Sequence, residues 1–383
     1  MSYHCECEQC KNKEFNPEDY IIREEDFKIL DKERPLGISG HLRVKDEAMS
    51  VAQCIDSCID ALDELIITYN KSTDNTEEIL KEYERKYPDK IRLYFYEPNI
   101  IKYDKNEYKK KYSEIHYFYN YSNFGYLKIK YKYYIKIDAD QIYFKEKLLQ
   151  IREALLSDIE LSSDIRKLLI IEKISWYIPI KELRNNFRTY FIKKLFNIKD
   201  KYYKFNGVEE LLNLKDFIIY SKMRYRDNFY LLISGFEIVL NDDSFYLKTS
   251  FVYNGSTGDH FIFIPSKSYI YYLNGLGLES IHLPLNCSVL GLVWVHLGAV
   301  KRYININSEV QFMDIHKLNN KDILKYIKNN VEEEDHKITL SNLTIKYFDK
   351  DKKYLTKEFY NKYLKNPLEY AIKNRDKFIK RLW

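Results

Sequence analysis

Four short apolar runs, separated by helical stretches, fill the first 145 residues. No other feature constrains the fold of this chain as strongly. ISGHLRV (38–44) reads as a first strand. The stretch KDEAMSVAQCIDSCIDAL follows, with Ala48, Val51, Ile55, Cys58 and Leu62 at helical spacing. ELIITY (64–69) is β-branched and reads as a buried strand. It stops at NKSTDNTEEIL, where Ser72, Thr73 and Asp74 are helix N-cap types and Glu77 and Glu78 suit a first helical turn. That helix is expected to end near Pro88, before a third strand, IRLYFYEP (91–98). A tyrosine-rich helical stretch over 108–128 leads to YYIKID. Strand and helix alternating in this way predict an α/β chain, with a mainly parallel sheet and helices on both faces.

The 383 residues suffice for one large domain or two ordinary ones. The expected division is an N-terminal tail (1–35), a first α/β half (36–149), a helical insert (150–227), a second half (228–315) and a basic, aromatic, helical C-terminal region (316–383). No apolar run reaches the length of a membrane span, and MSYHCECEQC does not read as a signal peptide. A cytoplasmic protein is therefore expected. Lys and Arg (62) nearly balance Asp and Glu (57), which argues against a nucleic-acid binder.

Six cysteines in a chain of this length do not make a disulfide framework. Cys54 and Cys58 sit on a helical face and are expected to pack as small hydrophobes. His4, Cys5, Cys7 and Cys10 could ligate a soft metal. The C-x-C-x-x-C spacing has no second pair nearby to close a tetrahedral site, so a mobile tail is the expectation.

Ligands of open parallel sheets bind at the carboxyl ends of the strands. Asp138 and Asp140, in YYIKIDADQIYF, occupy that edge at the end of the fourth strand. Residues i and i+2 of an extended chain point the same way, and two neighbouring carboxylates repel unless a cation separates them. Mg2+ or Mn2+ suits such oxygens and also bridges phosphates. A solvated strand end is the plain alternative.

The order of RVKDEA, IITYNKSTDNTEEIL and YIKIDADQIYF resembles the GT-A fold of nucleotide-sugar glycosyltransferases. More narrowly, RVKDEAMSV and IKIDADQIYF are similar to bacterial transferases that add N-acetylgalactosamine or galactose to lipooligosaccharide outer cores. The likeness extends more thinly to SGFEIVLNDDSFYL, TGDHFIF and VWVHLGAVKRY, and does not cover residues 150–225 or the C-terminal tail. It implies an inverting, metal-dependent enzyme that takes a UDP-sugar and glycosylates a lipid-linked or lipopolysaccharide acceptor. A non-catalytic nucleotide- or carbohydrate-binding protein of the same fold is the alternative.

The resemblance assigns His41, Arg43 and Asp46 to the base and ribose; on their own chemistry they read as surface charges. Asn70, Ser72 and Asp74 can hydrogen-bond base or ribose, or simply cap a helix. Asn120 is a further candidate at the nucleotide edge, within an aromatic stretch otherwise suited to core packing. A base must remove the proton of the acceptor hydroxyl, and a carboxylate is the usual choice. Asp259, in NGSTGDHFIF, and Glu279, in NGLGLESIHLP, both follow glycine-bearing turns, with Asp259 slightly preferred; Glu237 and Asp242 are weaker candidates. His296 follows an apolar strand, and the resemblance makes it a third metal ligand beside Asp138 and Asp140; by itself it reads as a core histidine. Lys301 and Arg302 can neutralise a departing diphosphate. Residues 352–383 interleave ten Lys and Arg with Tyr354, Phe359, Tyr360, Tyr363, Tyr370, Phe378 and Trp383. Such a segment suits either contact with the inner face of the cytoplasmic membrane or an amphipathic helix docked on the protein.

Overall fold

The structure, a computed structural model, describes residues 5–101, 112–158, 161–202, 204, 211–241, 244–248, 260–273, 279–282, 288–300, 312–314 and 352–374. A short helix α1 (Glu8–Lys11) and two 3-10 turns precede strand β1 (Ile38–Val44). Then come α2 (Val51–Cys58), β2 (Glu64–Tyr69), α3 (Thr76–Lys86), β3 (Ile91–Phe95), α4 (Phe118–Tyr126), β4 (Tyr133–Asp138) and β5 (Gln141–Tyr143). Helices α5 (Lys145–Leu156), α6 (Ser163–Ser175), α7 (Lys181–Leu195) and α8 (Leu214–Tyr225) follow. The second half contributes β6 (Tyr230–Asn241), β7 (Ser244–Lys248), β8 (Phe261–Phe263), β9 (Tyr271–Leu273), β10 (Glu279–Ile281), β11 (Ser288–His296) and β12 (Phe312–Asp314), and α9 (Lys365–Lys373) lies near the C-terminus.

The strands of the first half stand in the order β3-β2-β1-β4, all parallel. Beyond β4 the sheet continues through β8, β6, β7 and β12, with antiparallel pairing at each step. Strand β11 runs parallel to β6 and antiparallel to β5, which stitches the D-x-D turn to the second half. Every residue of β1 and β2 is buried, as expected of central parallel strands covered on both faces. One face receives α2 through Val51, Cys54, Ile55 and Cys58, and α3 through Leu80 and Tyr83, residues at helical spacing. The other face receives α4, where Tyr126 stacks edge-on against Tyr134 of β4.

Two boundaries differ from the sequence reading. Helix α5 runs through residue 150 and buries Leu148, Ile151, Ala154 and Leu155 in the main core, so the insert is rooted in the first half. Its own helices are tied by Glu172 of α6, which pairs with Arg188 of α7 and Arg224 of α8. Residues 5–35, read as a tail, lie against the first half: Tyr20 packs on Tyr96 and Phe124, and Leu30 is buried. Cys54 and Cys58 are fully buried on α2. Among the described residues, no helix is long and apolar enough to cross a membrane.

Candidate functional site

Strand β4 ends at Asp138, Ala139 and Asp140 form a turn, and β5 begins at Gln141. Because β5 pairs with β11, Gln141 lies opposite His296. The Leu297 N–H donates to the Asp140 carbonyl at 2.8 Å, fixing the two segments together. The side chains of Asp140 and His296 consequently meet, with Oδ1 and Nε2 3.2 Å apart. Gly298 closes over this pair. A Cβ there would stand 2.7 Å from His296 Cε1 and 3.1 Å from Asp140 Oδ2, so a side chain would displace one of them. An oxygen and an imidazole nitrogen, partly exposed at a strand end, are donors that would suit a divalent ion such as Mn2+ or Mg2+.

Asp138 goes elsewhere. The register of β1 against β4 sets Arg43 opposite it, and Arg43 Nη2 donates to Oδ1 at 2.8 Å. Lys136, two residues earlier on the same strand face, brings its ammonium to 3.3 Å from Oδ2, and His260 Nε2 lies 3.1 Å from the same oxygen. Burial alone would raise the Asp138 pKa; Lys136, then Arg43 and His260, hold it well below the usual carboxylate range. Asp138 is thus neutralised by protein cations, while Asp140, beyond the turn at Ala139–Asp140, meets His296. Among the described residues, Asp138, Asp140 and His296 do not form a three-ligand cluster.

Arg43 links this cluster to the second half. Its Nη1 donates to both oxygens of Glu279, at 2.7 and 2.6 Å, and to Ser122 Oγ of α4 at 2.6 Å. Its guanidinium carbon lies 4.6 Å from the centroid of the Phe118 ring. Burial would lower the Arg43 pKa, but Glu279 and Asp138 hold it well above its ordinary value. Glu279, a candidate base, is therefore committed to an ion pair with an almost fully buried partner.

The nucleotide-side candidates divide. His41 is not at the sheet edge: it is fully buried, with Nε2 2.9 Å from Thr68 Oγ1 and Nδ1 3.1 Å from the Tyr134 hydroxyl. Asn120 is likewise a core residue, donating to the Tyr96 hydroxyl and the Tyr20 carbonyl. Asn70 is buried and donates to the carbonyls of Tyr96 and Pro98. These three amides and rings are spent on the fold, which corrects their assignment to the nucleotide. Asp46, Ser72 and Asp74 do converge at the ends of β1 and β2. Asp46 adopts φ 54° and accepts from the Thr73 N–H and hydroxyl. Ser72 Oγ accepts from the Asp46 N–H, and Asp74 accepts from the Thr76 N–H at the start of α3 and from the Ala48 N–H. Glu237 stands in register with His296 across β6 and β11. Asp242, Asp259, Lys301 and Arg302 lie outside the described residues.

Two site residues escaped the sequence reading. Lys136 is a lysine inside a buried strand, a signal in itself, since a buried ammonium needs a carboxylate. His260 follows Asp259 directly in TGDHFIF, so a second ionisable group stood beside the favoured one.

Residues 18–154 match the family model described as beta-1,4-N-acetylgalactosaminyltransferase (CgtA). No curated protein matches the sequence. Among solved structures, glucosyl-3-phosphoglycerate synthase from Mycobacterium tuberculosis, bound to Mn2+, UDP and glucosyl-3-phosphoglycerate, is 18% identical with a TM-score of 0.23. That match covers 36% of this chain and 44% of the synthase, less than half of its length. S. aureus TarS 1-349 is 10% identical with a TM-score of 0.31, over 90% of this chain and 83% of that one. Likeness of this degree carries no weight beside the strand order itself. The matched segment holds β1 to β5 and the D-x-D turn, and the β3-β2-β1-β4 sheet with its antiparallel continuation is that of a GT-A domain. Over residues 18–154 the chain is similar to the CgtA glycosyltransferase family, and its strand order is GT-A-like.

Proposed function

We propose that this protein is a metal-dependent, inverting glycosyltransferase that moves galactose or N-acetylgalactosamine from a UDP-sugar to a hydroxyl of a lipooligosaccharide-type acceptor. The observation that carries the reading is the pairing of Asp140 with His296 at the carboxyl end of β4, beside the charged Asp138–Arg43–Glu279 cluster. Asp140 and His296 are the residues that would hold the metal. A bound divalent ion would neutralise the diphosphate as it departs.

The chain's own groups supply the rest. Asp138, kept ionised and about a quarter exposed, is an acceptor for donor hydroxyls such as those of the ribose. Arg43 bonds Asp138 and ties it to Glu279. In the transfer, the acceptor oxygen forms a bond to the anomeric carbon while the bond to the diphosphate oxygen breaks. UDP leaves with the electron pair, and the hydroxyl proton passes to a carboxylate base. Attack opposite the leaving group inverts the anomeric centre. Since Glu279 is engaged with Arg43, Asp259 is the base we favour. The lipid-linked nature of the acceptor, and contact with an anionic membrane through the exposed lysines near the C-terminus, belong to the same proposal.

A hydrolysis and transfer screen of UDP-galactose, UDP-N-acetylgalactosamine and UDP-glucose, with Mn2+ and with EDTA, tests it. Turnover of one of the first two that EDTA abolishes is expected. UDP-sugar binding without any turnover would favour the non-catalytic alternative.

A further inference from the structure

The N-terminal segment meets the first half at a cluster that the proposed reaction does not use. Cys5, Cys7 and Cys10 converge with His116, and the four ligand atoms lie within 4.8 Å of one another. His116 Nε2 stands 3.2 Å from Cys7 Sγ and 3.3 Å from Cys10 Sγ. We propose that Cys5, Cys7, Cys10 and His116 form a structural zinc site that clips the N-terminal segment to the glycosyltransferase domain.

The donor set and its geometry carry this. Three thiols and one imidazole are a standard closed zinc set, and a tetrahedral ion with bonds of about 2.3 Å to sulfur and 2.0 Å to nitrogen would hold S and N roughly 3.5 Å apart. The observed contacts need only slight expansion to admit the ion. The imidazole is also oriented for ligation. Nδ1 lies 2.7 Å from the Asn99 carbonyl, so the ring proton sits there and the Nε2 lone pair faces the sulfurs. The Cys10 N–H donates to Cys7 Sγ at 3.4 Å, a contact that stabilises a thiolate ligand. No disulfide joins the three cysteines.

The segment also needs such a clip. From Cys5 to Ile29 no residue is fully buried, and its secondary structure is a four-residue helix and 3-10 turns. Helix propagation cannot hold it at that size, and its packing, as of Tyr20 on Tyr96 and Phe124, leaves its residues only partly buried. A metal can, because its binding free energy becomes folding free energy. Cys10 and His116 are 106 residues apart, so the clip closes a long loop. The fourth ligand's distance in sequence also explains why the C-x-C-x-x-C run looked incomplete. His116 lies two residues before α4, which carries the Phe118 and Ser122 contacts to Arg43. The clip is thereby connected to the site by one rigid element, although it rests on no assumption about the reaction.

The test is metal content of the full chain, purified without added chelator. One zinc per chain by mass spectrometry is expected for the wild type and for Asp140→Ala, and its loss is expected in Cys7→Ser/Cys10→Ser and in His116→Ala. Co2+ exchanged into the intact wild type should give thiolate charge-transfer and tetrahedral d–d bands, a readout that needs no substitution to fold. Zinc that stays in both ligand variants, wild type that purifies with no stoichiometric metal and takes up Co2+ without those bands, or a disulfide among Cys5, Cys7 and Cys10 would overturn the assignment.

Discussion

Asp140 and His296 are 156 positions apart in sequence, yet their carboxylate and imidazole stand 3.2 Å apart because β5 and β11 pair across the D-x-D turn. Asp140→Ala and His296→Ala should each abolish Mn2+-dependent UDP binding while leaving thermal stability near that of the wild type, since both side chains are partly exposed. Calorimetry with UDP, with and without Mn2+, checks this. Unchanged metal dependence in either variant would remove the pair from the metal site.

Glu279 and Asp259 should separate by phenotype. Asp259→Asn is expected to lower kcat by about 10²–10⁴-fold with UDP affinity unchanged, the mark of a lost general base. Glu279→Ala removes one of the two carboxylate partners of the buried Arg43 guanidinium, Asp138 remaining, and should cost about 1–3 kcal/mol of stability in urea unfolding. A stable Glu279→Ala with the kinetic defect assigned to Asp259 would exchange the two roles.

Gly125 tests the placement of His41. Elsewhere a helical Gly→Ala change gains about 1 kcal/mol. At Gly125 a Cβ would fall 2.0 Å from His41 Nε2 and 2.6 Å from Thr68 Cγ2, both in the packed core. Overpacking should win, and Gly125→Ala should destabilise by about 1–3 kcal/mol. A stabilised variant would mean that His41 does not occupy this pocket.

His41 also makes stability depend on pH. Burial first, then the charges of Arg43 and Lys136, push its pKa well below 6.5, with Asp138 opposing. The unfolded chain therefore binds a proton that the folded chain refuses, and stability falls as pH drops below about 6.5. His41→Gln, which keeps hydrogen-bonding atoms for Thr68 and Tyr134, should flatten the part of the urea midpoint's pH slope between pH 7 and 5. An identical slope in the variant would show that other groups set it.

The first half was legible in the sequence because its signals are local. Short apolar, β-branched runs marked β1 to β4 and helical spacing marked the helices between them, α4 being shorter than the stretch 108–128, and the D-x-D sat where the β4 run gave out. The misreadings have one cause, which is that direction and partnership are not local. His41 and Arg43 share a face of β1, yet one is capped by Gly125 and Thr68 and the other opens onto Asp138. Asp138 and Asp140 are adjacent in spacing but separated by a turn no periodicity announced. Arg43–Glu279 and Cys10–His116 join residues more than 100 positions apart. Propensity cannot see such pairs; only the strand order brings them together.

The C-terminal region offers the last test. Residues Lys357–Phe359, Tyr360–Leu364 and α9 form a helical run whose Phe359, Tyr363, Leu364, Leu368 and Ala371 are buried in the main core. The Phe359 ring lies 5.1 Å from that of Phe144, next to β5. Burying each large side chain contributes roughly 1.5–3 kcal/mol, so deleting this run would unsettle the domain rather than only its surface affinity. Lys357, Lys362, Lys365 and Lys373 meanwhile stay exposed. The docked helix and a membrane-facing basic surface are therefore compatible, one on each side of the same element. Changing these four lysines to glutamate should leave the melting temperature nearly unchanged. It should weaken co-sedimentation with anionic vesicles, since each basic residue near such a surface contributes about 1 kcal/mol. The loss should be largest at low salt and vanish at high salt, where the Debye length shrinks to about 3 Å. Vesicle binding that ignores both the substitutions and the salt would leave this helix a packing element alone.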